Sequence, residues 1–140
     1  MRPLISIVAL VLALPAHAQS TAPEGARIEY PSVAAALKDL EARDENGTVV
    51  THSDGWTIIN EPLASSQWSF TPPGHYAYPA VVRRVIKRSP TGAVSVETAS
   101  LCESSESACS KLLAEFATMN ERITQAVKAK GRQPSAVPAN

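Results

Sequence analysis

The 140-residue chain carries no surplus charge: 13 Lys and Arg offset 13 Asp and Glu, for a formal net charge of 0. Without a basic excess there is no electrostatic ground for a nucleic-acid or anionic-membrane partner. Cysteine is scarce. Cys102 and Cys109 are too few for a four-thiolate zinc site, and their spacing departs from the Cys-x-x-Cys pattern that tunes a redox thiol. Three histidines, His17, His52 and His75, form no His-x-x-x-His pair, so neither a metal site nor a cofactor is expected. Also absent are a Gly-x-Ser-x-Gly elbow, a Ser-x-x-Lys pattern and a glycine-rich phosphate loop. The apolar run Leu4 to Leu14 falls well short of the roughly 20 residues that span a bilayer.

What is present begins with that run. Arg2, the apolar stretch broken only by Ser6, and Pro15 before Ala16-His17-Ala18 together read as a secretory signal peptide over residues 1–18. Cleavage there starts the mature chain at Gln19 rather than at a cysteine, so a bacterial lipid-anchor pattern is lacking. The expected product is a soluble periplasmic or secreted protein with no membrane insertion after cleavage. In an oxidising compartment Cys102 and Cys109 read as one disulfide, worth about 2–3 kcal/mol by chain-entropy arithmetic.

Polar, small residues with Pro23 and Gly25 mark 19–27 as a flexible leader; Pro134 and Pro138 mark 129–140 as a disordered tail. The single domain then covers 28–128. Ser32 is placed to cap a helix whose Val33, Ala36, Leu37 and Leu40 share one face, running to about Arg43, with Asn46-Gly47 as its stop. Thr48–Thr51 and Trp56–Asn60 flank Ser53-Asp54-Gly55 as a hairpin, and Gln67–Thr71 reads as a third strand. Pro72-Pro73-Gly74 ends regular structure. Ala80–Arg88 and Ala93–Cys102 form a second hairpin about Ser89-Pro90-Thr91-Gly92. Cys109, Leu112, Leu113, Phe116, Met119, Ile123 and Val127 lie on one stripe of a closing helix, capped by Ser104 or Ser105. These elements give an α+β class: an antiparallel sheet of four to five strands, with the N-terminal and C-terminal helices packed on one face and the other face partly exposed.

The segment from Trp68 to Pro79 holds four of the seven aromatics, and Pro72, Pro73, Pro79 and Gly74 shape its backbone. Pre-ordered aromatic loops bind well because few rotamers must be frozen. Trp68 and Phe70 also read as core residues of a strand; His75, Tyr76 and Tyr78 suit either role. Arg83, Arg84, Lys87 and Arg88 form the one basic cluster, which reads as edge protection or as the mark of an acidic partner. The pattern Trp68-Ser69-Phe70-Thr71-Pro72-Pro73-x-His75-x-Ala77-Tyr78-Pro79, then Val81-Val82-Arg83-Arg84, resembles a group of small exported proteobacterial proteins. Gly55-Trp56-Thr57, Leu101-Cys102 and Cys109 fit that group as well. The resemblance implies a bacterial host and an unassigned role, and it supplies no catalytic residue. A chaperone-type label attached to some members does not transfer, because the His-Pro-Asp tripeptide of a J-domain is missing.

The leading expectation is a non-enzymatic binding module for a protein partner in the cell envelope, using His75, Tyr76, Tyr78, Arg83, Arg84 and Trp68. One version is an inhibitor or immunity protein against an envelope hydrolase; a periplasmic chaperone-like or stress factor is a separate alternative. A hydrolase using His75 as base is the enzymatic alternative; it has no identified nucleophile.

Overall fold

A computed structural model describes residues 28–44 and 47–131. The proposed signal peptide, leader and most of the tail lie outside the described residues.

The order is α1 (Val33–Ala42), β1 (Val49–Thr51), β2 (Thr57–Glu61), a 3-10 turn (Pro62–Ala64), β3 (Ser66–Phe70), β4 (Ala80–Arg88), β5 (Val94–Cys102) and α2 (Glu106–Gly131). The strands form one five-stranded antiparallel meander in chain order, β1-β2-β3-β4-β5. The α+β class and both hairpins follow the reading of the sequence. Ser32 Oγ accepts from Ala35 N at 3.1 Å and starts α1. That helix stops at Ala42, ahead of Asn46-Gly47. Asp44 then turns the chain into β1, its carboxylate accepting from Thr48 N at 2.8 Å and Val49 N at 3.1 Å. At the other end, residues 129–131, expected in the tail, form the last turn of α2. The helix runs four residues past Val127, the last residue of its apolar stripe.

The helices do not share a face. The register pairs Ile59 with Trp68 and Phe70 with Val81, so these side chains project to one side of the sheet. There they join Val33, Ala36 and Leu40 of α1 in one core cluster. The alternate positions carry Ser69, Ala80 and Val82, and the last two pack against Leu112 and Phe116 of α2. α1 and α2 therefore sandwich the sheet, correcting the expectation of a single covered face. The cause is the apolar run Ala80-Val81-Val82, all fully buried, which gives β4 an apolar surface on both sides. Each cluster alone is small, and the disulfide from Cys102 to Cys109 fastens the start of α2 to the end of β5, Cα to Cα 5.9 Å.

Candidate functional site

α2 crosses its sheet face over β4 and β5, leaving the same face of β1 to β3 beside it as the floor of a groove. Residues of β2 to β4 that point to this face are Ile58, Asn60, Gln67, Ser69, Arg84 and Ile86. One wall is the Leu112, Phe116 and Met119 side of α2. Arg84 divides the groove. Toward the Pro72–Pro79 loop lies a cavity of about 340 Å³ lined by Trp56, Ile58, Ser69, Leu112, Phe116 and Met119, with His52, Asp54 and Glu115 at its rim. On the other side lies one of about 370 Å³, lined by Asn60, Ser65, Ser66, Gln67, Pro62, Ile86, Val96 and Ile123, with Arg84 its single charged lining residue among the described residues.

Arg84 is half-buried. Its Nη2 donates to Gln67 Oε1 and its Nη1 lies 3.0 Å from Met119 Sδ, while the guanidinium carbon sits 5.3 Å from the Phe116 ring centroid. Gln67 in turn donates from Nε2 to Asn60 Oδ1 at 3.0 Å. Among the described residues no carboxylate lies within ion-pairing distance of Arg84. Burial draws its pKa below the ordinary arginine range. A guanidinium in a partly dry groove with only neutral partners keeps donor capacity for an anion, and its plane fits a carboxylate.

The loop stands at one end of the groove. The His75 ring meets Trp56 edge-on at 5.1 Å, and the Trp56 ring lies 6.2 Å from that of Phe116, so ring contacts link the loop to the wall beside Arg84. His75 Nδ1 accepts from Ala77 N at 3.2 Å. Tyr76 stacks against His75 at 4.3 Å, donates from its hydroxyl to Glu115 Oε2 at 2.8 Å, and lies under Lys111 Nζ at 4.2 Å. Tyr78 is 47% exposed.

The six residues expected to form one surface are thus divided. His75, Tyr76 and Arg84 are brought to the α2 face. Trp68 and Arg83 are on the α1 face: Trp68 is buried, donates from Nε1 to Glu61 Oε2 at 2.5 Å, and meets Tyr30 edge-on. Arg83 lies 5.2 Å over the Trp68 ring and donates from Nε to Ser66 Oγ at 3.2 Å. Trp56, Gln67, Phe116 and Met119 belong to the groove and were not singled out as site residues. Gln67 had a signal: it shares the strand parity of Ser69, opposite to that of Trp68 and Phe70. Among the described residues no three His, Cys, Asp or Glu side chains gather as a metal site, and no helix is long and apolar enough to cross a membrane. No protein-family model, curated protein or solved structure matches the chain.

Proposed function

We propose that this protein is an exported, non-enzymatic binding module that takes an acidic segment of a protein partner into the groove beside α2. The observation that carries the reading is Arg84: a half-buried guanidinium between two cavities, with amide, thioether and ring neighbours and no carboxylate among the described residues. A partner's Asp or Glu reaches Arg84 from the cavity that holds no other charge among the described residues, and apolar neighbours in the partner cover Ile86, Val96 and Ile123. The envelope location rests on the residues 1–18 pattern and agrees with the Cys102–Cys109 disulfide. The hydrolase alternative gains no support, because the His75 ring is engaged with Trp56, Tyr76 and the Ala77 amide.

The test compares wild type with Arg84→Met, which keeps a long apolar stem and removes the charge. Titration of the ¹⁵N-labelled protein with a capped peptide of alternating Glu and Leu is expected to shift the Gln67 and Asn60 side-chain amides saturably. The variant is expected to lose that response with no fall in Tm, since it discards a partly desolvated charge that no carboxylate among the described residues offsets. Unchanged binding in the variant defeats the proposal. With envelope extract, one stoichiometric partner favours the inhibitor or immunity form; many substoichiometric clients favour the chaperone-like form.

A further inference from the structure

The two edges of the sheet are unequal. β1 has three residues, a length that offers little to a pairing strand, whereas β5 has nine and pairs without interruption with β4 from Val94 to Cys102. Sheet edges are ordinarily blunted by shortness, proline, bulges or lysine, and β5 has none of these. Its only charged residue is Glu97. In an antiparallel ladder, residues bonded inward alternate with residues whose N–H and C=O face outward. Glu103 N donates to Pro79 O and Ser89 N to Ala93 O, which sets odd positions inward. Val94, Val96, Thr98, Ser100 and Cys102 therefore present their backbone groups to the outside. Among the described residues no other segment pairs with them.

We propose that this edge pairs with β5 of a second copy, antiparallel about a two-fold axis at Thr98, giving a continuous ten-stranded sheet. The occupant follows from self-complementarity. Overlap of all nine residues requires the axis at Thr98, which sets Val96 opposite Ser100 and Val94 opposite Cys102 of the second copy, each pair outward-facing on both strands. In that register Glu97 faces Ala99, whereas an axis one residue earlier sets Glu97 against Glu97. A two-fold axis through the sheet also keeps both α2 helices on one side. The flank of α2 above β5 is shaped for this: Leu113 is 37% exposed, and with Ala117, Val96 and Thr98 it lines a shallow notch on the edge side of the helix. Asn120 borders the same notch, and among the described residues its buried Oδ1 has no hydrogen-bond partner. The second copy's α2 covers this apolar flank.

Sedimentation equilibrium of the disulfide-bonded mature chain is expected to give twice the mass of a single chain. Amide exchange is expected to show the Val96, Thr98 and Ser100 N–H groups protected to the same degree as those of β3 at the centre of the sheet. Ser100→Pro removes one outward N–H per copy and leaves the β4 ladder intact, so dissociation should strengthen by about tenfold or more. Because proline can unfold a strand, Ala117→Arg on the α2 flank is the second variant, and it too should yield monomer with the native far-ultraviolet spectrum. A monomeric wild type, or a dimer whose edge amides exchange rapidly, overturns the inference. Retention of the dimer by folded Ala117→Arg overturns it as well.

Discussion

At Tyr76 the phenol pKa is pushed up to about 12, first by burial and then by its hydrogen bond to the Glu115 carboxylate. The fold favours the protonated phenol, so this contribution to stability is complete below pH 10, the ordinary tyrosine value, and is lost as pH rises through about 12. Tyr76→Phe keeps the ring over His75 and removes the titration. Urea unfolding at pH 9 to 12 is expected to show a shallower decline for the variant; equal slopes would refute the assignment. Gly55 makes a separate demand at the same end of the molecule. Its φ is +86°, and a Cβ there would come within 2.9 Å of Pro72 Cβ. Gly55→Ala should lower stability by about 1–3 kcal/mol, read from the urea midpoint, because the positive-φ strain and the clash with the Pro72 ring add. The β1–β2 turn thus abuts the proline loop, a meeting of distant residues that the turn signal itself does not contain.

At the level of elements, local chemistry was legible wherever hydrogen bonding and side-chain period agree. β4 and β5 occupy nearly the expected spans, and Ser105 Oγ accepts from Ala108 N at 3.3 Å at the start of α2. α1 ends at Ala42 with Arg43 as its cap, close to the expected end; less legible was the part played by Asp44, whose side chain serves the following strand. The Cys102–Cys109 bond joins β5 to the first turn of α2, the helix that walls the groove. Replacing both cysteines by serine should cost about 2–3 kcal/mol in urea unfolding, from the entropy of the short loop alone. It should also raise amide exchange in the first two turns of α2 before the sheet opens. Loss of protection throughout the sheet at the same rate would show instead that the bond supports the whole domain.

Over the whole molecule, the signal-peptide reading makes a direct demand. Expression of the full chain in a proteobacterial host is expected to yield periplasmic protein beginning at Gln19 with no reactive thiol, measured by intact mass and thiol titration. Cytosolic recovery of an uncut chain would remove the envelope location while leaving the Arg84 groove to be tested by itself. Composition, turn chemistry and period were enough to determine the class, the two hairpins and the one pairing open to two cysteines. Those follow from interactions between near neighbours. The face each helix covers was decided only by tertiary packing. Ala80, Val81 and Val82 are all fully buried, so β4 accepts a helix on either side, and strand alternation then sends Trp68 and Arg83 to α1 and Arg84 to α2. A run of residues specifies which side chains share a face; the covering of that face depends on an apolar stripe brought from elsewhere in the chain.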